Sequence, residues 1–147
     1  MIMEIKIRKI GSDEQEYIEI GCHKTDERIN EIVRFLRSRQ GTVDGTKEDI
    51  QYQIPLTDIF YIESVDDRTF IYLEKDCYES RRRLCEFEGI LSSRSFVRIS
   101  KSVIVDLMKV VAIRPALNGR FLCRLTNGEE VMISLKYVPD FKEKLKG

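Results

Sequence analysis

A short polar segment at residues 100–102, Ser-Lys-Ser, combines two hydroxyl groups with one ammonium group. It lies between two mostly apolar runs, residues 96–99 and 103–105, which are typical of short strands. Strands on both sides would hold the segment at a tip, where its side chains could reach phosphate oxygens and base edges. Ser100, Lys101 and Ser102 are therefore candidate binding residues.

Arg68 is a second candidate because it stands at the tip of a predicted hairpin, next to Asp66 and Asp67. Its guanidinium could form an ion pair with one of these carboxylates, or it could contact a base or a phosphate. Both interpretations stay open.

The arginine run at residues 81–83 also carries positive charge, but Glu86 and Glu88 follow it within a turn or two of a predicted helix. Charge runs are usually solvated faces, and these carboxylates can pair with the run. We therefore favour a structural interpretation of these arginines over a phosphate-binding one.

The sequence predicts neither an enzyme nor a site for a metal or another cofactor. Cys22, Cys77, Cys85 and Cys123 are scattered without a Cys-x-x-Cys pair, and His23 is the only histidine. Cys22 and His23 are neighbours, but neighbours along a strand point to opposite faces and no third orienting group is evident. The other three cysteines are expected to act as small buried hydrophobic residues.

Length and composition limit the organisation of the chain. With 147 residues and 42% hydrophobic content, it can form one core, or one domain with a small appendage. There is no apolar run long enough to span a membrane and no signal-peptide pattern at the start. We therefore expect a cytoplasmic protein without direct membrane insertion.

The net charge is unusual for a nucleic-acid-binding protein, because 25 basic residues balance 25 acidic residues. Residues 1–54 hold 9 Lys/Arg and 11 Asp/Glu, which leaves 16 and 14, a net charge of +2, for residues 55–147. This is not a strongly basic footprint. Binding to phosphates would then need locally clustered cations, dimers, or main-chain and hydroxyl donors.

The first 54 residues are predicted to form a small ββαβ extension. Alternating apolar residues indicate strands at 3–7 and 17–20, and Thr25 is a candidate cap for the helix that follows. Residues 41–49 are interpreted as a loop and residues 52–54 as a strand. Such a unit cannot close a core alone, so we expect it either to take part in a homodimer or to dock on the rest of the chain.

Residues 55–147 are predicted to be mostly β with minor α, with many short antiparallel strands that suggest packed sheets. The pairs Asn118-Gly119 and Asn127-Gly128 are strong hairpin-turn signals. The predicted elements are, in order, strands at 59–63, 69–73 and 77–80, a helix at 81–89, the strands flanking residues 100–102, strands at 110–113, 120–125 and 130–134, and a helix from Lys136 onward.

Four sequence blocks in this part resemble the LytTR family of DNA-binding domains from bacterial transcription regulators. They are Asp-Ile-Phe-Tyr-Ile-Glu-Ser at 58–64, Phe-Val-Arg-Ile-Ser-Lys-Ser-Val-Ile-Val-Asp-Leu at 96–107, Thr-Asn-Gly at 126–128 and Ile-Ser-Leu-Lys-Tyr at 133–137. The blocks occur in the family's order and at its separations, so the resemblance extends over about residues 55–145.

The resemblance implies three small antiparallel sheets whose loops insert into successive major grooves of double-stranded DNA. Carried over to this sequence, the contacts would come from Arg68, Ser100, Lys101 and Lys136, and Ser102 could bond a phosphate. The chain departs from the family at Ser100, which is often histidine, and at Asp106, which is commonly asparagine. Aspartate at 106 places a negative charge near the loop, which could weaken DNA binding unless the side chain points inward to cap a turn.

Two hypotheses follow. The first is a stand-alone transcription regulator that binds duplex DNA as a homodimer, since the family includes regulators of this size, often thought to work with a regulatory membrane-protein partner. The alternative is a protein-interaction module of the same fold that sequesters a partner without strong DNA binding.

Overall fold

The computed structural model describes residues 3–38, 41–91 and 95–146. Within these residues it contains ten strands and three α-helices. The helices are α1 (Glu27–Ser38), α2 (Leu84–Ile90) and α3 (Val138–Lys146). The strands are β1 (Thr42–Lys47), β2 (Ile50–Pro55), β3 (Tyr61–Val65), β4 (Arg68–Tyr72), β5 (Cys77–Ser80), β6 (Phe96–Arg98), β7 (Val103–Asp106), β8 (Val110–Pro115), β9 (Phe121–Leu125) and β10 (Glu130–Ile133).

The strands form two antiparallel sheets, which confirms the mostly β fold class. The larger sheet has the order β2-β1-β5-β4-β3-β7-β6, and the smaller has the order β10-β9-β8. The number of sheets differs from the three that the family resemblance implied. The reason is that the β1–β2 hairpin joins the larger sheet through one pairing, Thr46 with Glu79.

Two hydrophobic cores lie on opposite faces of the larger sheet. On one face, Leu84, Phe87 and Leu91 in and after α2 pack against strand residues such as Ile62 and Ile104. On the other face the smaller sheet and α3 cover the strands, as the following buried residues show: Val97, Val103, Val105, Cys123, Leu125, Ile133 and Phe141. Alternate residues of β7 thus enter different cores, as the two-residue period of a strand requires.

Polar contacts hold the smaller sheet against the larger one. The Tyr61 hydroxyl donates to Glu129 Oε2 at 2.8 Å, and the side-chain amide of Asn127 donates to the main-chain carbonyl of Glu74 at 3.1 Å. Partial burial, with the bond to Glu129, raises the pKa of Tyr61 above its ordinary value, so the hydroxyl stays protonated and available as a donor. The relative position of the two sheets is therefore set by hydrogen bonds as well as by the shared core.

The structure corrects the prediction for the N-terminal part. The strands predicted at 3–7 and 17–20 are not formed, although a helix follows them. That helix, α1, begins at Glu27, and the carboxylate of Asp26 accepts a hydrogen bond from the Ile29 amide at 3.2 Å, so Asp26 takes the capping place predicted for Thr25. This helix is amphipathic, since Ile29 is buried and Ile32 is half-buried while Arg34 is exposed.

Residues 41–49 were predicted to be a loop, and this prediction is wrong. Residues 42–47 form β1, which pairs with β2 through a two-residue turn at Glu48 and Asp49. Both turn residues have positive φ, 52° and 64°, as a type I′ hairpin turn requires. The predicted division of the chain between residues 54 and 55 falls within β2.

Candidate nucleic-acid interface

The predicted strand pair around residues 100–102 is confirmed. β6 pairs with β7 in an antiparallel register that joins Arg98 to Ile104, and the Ile99 amide donates to the Val103 carbonyl at 3.0 Å. The polar segment therefore sits at the tip of a short hairpin at one edge of the larger sheet.

Two main-chain hydrogen bonds connect this tip to the other segments that carry candidate residues. The Ser64 amide donates to the Ser102 carbonyl at 2.8 Å, and Ser64 is at the end of β3, just before the turn that leads to Arg68. On the other side, the Ser134 amide donates to the Ile99 carbonyl at 2.9 Å, and Ser134 begins the turn that contains Lys136. These bonds bring three segments distant in sequence to one side of the molecule.

We call this surface the loop edge and define it as the β3–β4 turn with Arg68, residues 100–102, and residues 134–136. The hairpin predicted here is formed, and it is tighter than expected, because Val65 pairs with Arg68 across a two-residue turn in which Asp66 and Asp67 have φ of 50° and 64°. The loop edge is thus built from turns held by neighbouring strands, so the main-chain positions from which its side chains extend are fixed.

Arg98, which sequence reasoning did not select, binds the main chain of residues 100–102 through its guanidinium. Its Nε donates to the Ser100 carbonyl at 2.9 Å, one Nη donates to the Lys101 carbonyl, and the other bonds Glu88 Oε1 at 2.6 Å. A lone arginine in a strand gives no signal of this role, because its acceptors are main-chain atoms and a carboxylate from a different element.

Within residues 100–102 the two hydroxyl groups lie close together, and the lysine side chain is exposed. Ser100 Oγ accepts from the Ser102 amide at 3.2 Å and lies 3.4 Å from Ser102 Oγ. Lys101 is exposed, and across residues 3–38, 41–91 and 95–146 its ammonium has no ion-pair partner. The loop therefore presents one uncompensated positive charge beside two hydroxyl groups.

Arg68 forms an ion pair, but its partner is neither of the two aspartates that the sequence suggested. Its Nε and one Nη donate to the two carboxylate oxygens of Glu79, at 3.1 and 2.5 Å. Glu79 lies opposite Phe70 on the neighbouring strand, so the pair is a cross-strand diagonal. The hydrogen bond from Arg68 holds the pKa of Glu79 below its ordinary value, and the carboxylate is charged at neutral pH.

Lys136 is exposed in the turn after β10, and its ammonium lies 5.7 Å from the centre of the Tyr137 ring. That distance is within the range of a cation–π contact, which restrains the side chain without neutralising it. Lys136 therefore resembles Lys101 in offering an available charge at the loop edge.

The arginine run at 81–83 is exposed and precedes α2 rather than forming part of it. Arg82 lies 3.9 Å from Glu86, which agrees with the predicted pairing, whereas Glu88 pairs with Arg98 instead. Leu84 and Phe87 of α2 face inward and are buried.

Asp106 points inward and does not place a charge on the loop edge. It is only 3% exposed, and its Oδ1 accepts from the Ser95 hydroxyl at 2.6 Å and from the Met108 amide at 3.0 Å. The Lys109 ammonium lies 3.6 Å from its other oxygen. This capping arrangement at the end of β7 keeps the negative charge away from any ligand of the loop.

The cysteines differ in their surroundings. Cys123 is buried, as predicted, and burial raises the pKa of its thiol to about 11. The prediction fails for Cys85, which is exposed, and Cys77 is half-buried. In the described part of the chain, no cluster of three histidine, cysteine or carboxylate side chains could hold a metal ion.

No helix within the described residues is both long enough and apolar enough to cross a membrane.

Comparisons with known proteins agree with the resemblance in the sequence. The family model described as the LytTr DNA-binding domain matches residues 49–146. The sensory transduction protein LytT of Enterococcus faecalis is 34% identical over 99 residues, which are 67% of this chain and 40% of that protein. The transcriptional regulatory protein YpdB of Escherichia coli K12 is 29% identical over 103 residues, 69% of this chain and 42% of that protein.

The fold comparison gives the same result. The solved LytTr DNA-binding domain of a Bacillus cereus response regulator matches with a TM-score of 0.68 and 30% identity, over 71% of this chain and 96% of that domain. This chain spans about two fifths of the length of the curated relatives it matches. By the family model and by these similarities, the chain belongs to the LytTr DNA-binding domain family.

Proposed function

We propose that this protein regulates transcription by binding duplex DNA sequence-specifically, with the loop edge inserted into the major groove. The observation that carries the proposal is the pair of main-chain hydrogen bonds from Ser64 and Ser134 to the 99–102 segment. They bring Arg68, Lys101 and Lys136 to the same side of the protein. Three cations on adjacent turns suit a ligand with regularly spaced phosphates and groove-facing acceptors.

Each candidate has a distinct proposed role. Lys101, exposed beside two hydroxyls, contacts guanine acceptors or a phosphate, and the hydroxyls of Ser100 and Ser102 donate to phosphate oxygens. Arg68 has the fork geometry to bond guanine O6 and N7 together, provided that it exchanges Glu79 for the base. Lys136 holds a phosphate at the far end of the edge.

The weak net charge of residues 55–147 supports a complex with two protein chains. Neutralising Z phosphates gives a slope of log affinity against log salt of about −0.9Z, so three cations give a slope of roughly −3 and two chains roughly −5. When two chains are joined, binding of the first to DNA raises the local concentration of the second, so two weak contacts give one stronger complex. We therefore propose a homodimer on two short DNA repeats.

Residues 3–26 are the proposed source of self-association. They form no strand or helix, and Ile5 and Ile7 are 89% and 97% exposed. Such apolar side chains gain free energy when a second chain covers them. Sedimentation of the whole chain beside a shorter chain that begins at Thr25, and so keeps α1 and its Asp26 cap, tests this role. A whole chain that stays monomeric at tens of micromolar, free and on DNA, would contradict it.

The groove-insertion proposal is tested by guanine protection. A duplex from the promoter of the protein's own operon is shifted electrophoretically, and the bound duplex is then methylated with dimethyl sulfate, which attacks guanine N7 in the major groove. We expect protected guanines in two clusters separated by about one helical turn or a multiple of it. The alternative function, sequestration of a partner protein, predicts no saturable complex with any duplex.

A further inference from the structure

Arg98 is mostly covered by its surroundings, with a side chain 21% exposed, and each of its three guanidinium nitrogens has its own acceptor. Two acceptors are the successive carbonyls of Ser100 and Lys101, and the third is the carboxylate of Glu88 in α2. A planar guanidinium can satisfy three acceptors in fixed directions, which a lysine ammonium on a flexible stem does less well.

This arrangement compensates for a feature of the loop. Residues at the tip of a hairpin lose the ladder of hydrogen bonds that fixes a strand, and exposed turns are usually mobile. In this loop the carbonyls of Ser100 and Lys101 accept hydrogen bonds from Arg98, while the side chain of Lys101 is exposed to solvent. The shape of the loop is thus set before any ligand arrives.

The Arg98 charge is itself compensated. Glu88 lies 2.6 Å away, and a phosphate contact by Arg98 would have to break this pair and release the two carbonyls. The geometry therefore favours an internal role for Arg98 over direct binding.

We propose that Arg98, oriented by Glu88, is the positioning residue of the DNA-binding loop and sets DNA affinity through Lys101. This inference rests on the proposed function for its second half, the effect on affinity. The first half, the restraint of residues 100–102, concerns the free protein. Preorganised contacts cost less conformational entropy on binding, which is the physical reason for the expected effect.

The restraint is tested without DNA. Amide hydrogen exchange is measured by NMR in the wild-type protein, Arg98→Gln and Glu88→Gln, with Arg81→Gln as the matched arginine control. We expect exchange of the Ser102 amide, which bonds Ser100 Oγ, to accelerate about fivefold or more in Arg98→Gln, less in Glu88→Gln, and not at all in the control. A wild-type rate in Arg98→Gln would overturn the restraint.

The effect on affinity is tested by a double-mutant cycle between Arg98→Gln and Lys101→Ala on the promoter duplex of the protein's own operon. Arg98→Gln alone should weaken binding about tenfold. In the Lys101→Ala background it should weaken binding by no more than about twofold, because the lysine through which Arg98 acts is absent. Fully additive losses would identify a direct DNA contact and overturn the proposal.

A second variant guards against a folding defect. Arg98→Lys keeps the charge and most of the stem but cannot bridge three acceptors, so we expect it to lose affinity in the same direction as Arg98→Gln while keeping the wild-type unfolding transition. Full retention of affinity by Arg98→Lys would show that charge alone suffices and would contradict the proposal. If the wild-type protein formed no DNA complex, the proposed function would be wrong. The amide exchange rates would still show whether Arg98 restrains residues 100–102.

Discussion

The loop at residues 100–102 and the arginine run at residues 81–83 are both cationic, and they differ in how they are held. The loop has one lysine, and its main chain is bonded to Ser64 and Arg98. The run has three guanidiniums on an exposed segment, and its main-chain bonds are local: the Arg82 amide donates to Ser80 Oγ, and the Arg83 carbonyl accepts from amides of α2. Arg82 also lies 3.9 Å from Glu86. Charge density along the sequence favours the run, whereas restraint by neighbouring elements favours the loop.

We expect restraint to decide between them. A contact by either cation costs side-chain freedom, because lysine and arginine side chains are both long and both are exposed here. The main chain of the loop, however, is bonded to other elements of the fold, so we expect its charge to bind DNA with less main-chain ordering.

The largest effect is expected on stability, from Asp106→Ala. The substitution leaves the Ser95 hydroxyl, the Met108 amide and the half-buried Lys109 ammonium without their shared acceptor. We predict a loss of about 2–4 kcal/mol in the free energy of unfolding. Urea denaturation measures it, with Arg82→Ala as the control that should change by less than about 0.5 kcal/mol. Equal denaturation midpoints for the two variants would show that the buried contacts of Asp106 do not stabilise the fold.

Lys101→Ala comes next and acts on affinity. It should weaken specific DNA binding by about 1–3 kcal/mol and leave the unfolding transition unchanged, because an exposed loop lysine contributes little to packing. Fluorescence anisotropy with a labelled duplex gives the affinity, and circular dichroism gives the transition. A variant that bound as tightly as the wild type would remove the loop from the interface.

Glu79→Gln should strengthen binding, by about threefold at low salt. The substitution removes a carboxylate that competes for the Arg68 guanidinium and repels phosphates. Glu79 is charged at neutral pH, and the Arg68 hydrogen bond lowers its pKa further, so a titration at neutral pH compares a complete ion pair with none. Weaker binding would mean that the pair orients Arg68 for DNA rather than competing with it.

Arg81→Ala should have the smallest effect, below about 0.5 kcal/mol in both affinity and stability. It is the matched control for Lys101→Ala, since each removes one exposed cation. If the two substitutions weakened binding equally with unchanged stability, the arginine run would belong to the interface.

The strong local signals in the sequence predicted most of the fold of residues 59–146. Apolar runs on both sides of residues 100–102 predicted the β6–β7 hairpin, and Asn118-Gly119 predicted the turn between β8 and β9, where both residues have positive φ. Asn127-Gly128 marked the turn between β9 and β10, but this turn closes one residue earlier, with the Gly128 amide donating to the Leu125 carbonyl, rather than centring on Asn127 and Gly128. These signals work because turn chemistry and the period of two act within a few residues.

One failure was local: β1 pairs with the next strand along the chain, but the turn residues Glu48 and Asp49 include no glycine or asparagine to signal a hairpin. The other failures involve partners distant in sequence. Gly45 was interpreted as part of a loop, but it lies within β1, where a Cβ atom would stand only 2.9 Å from Tyr78 Cβ. Conversely, the alternation at residues 3–7 fits a strand, yet no described strand pairs with it. In the site, the Arg68–Glu79 and Arg98–Glu88 pairs depend on sheet register and on the position of α2, which single-sequence patterns do not supply.

The central claim, specific recognition of duplex DNA by the loop edge, is tested most directly by competition anisotropy over a range of salt concentrations. The probe is a labelled promoter duplex of the protein's own operon, and the competitors are the same duplex unlabelled and a shuffled duplex of equal composition. We predict saturable binding, displacement by the promoter at far lower concentrations than by the shuffled duplex, and a log–log salt slope of roughly −5 for two chains. Equal displacement by both competitors, or no binding at tens of micromolar protein in low salt, would contradict the account.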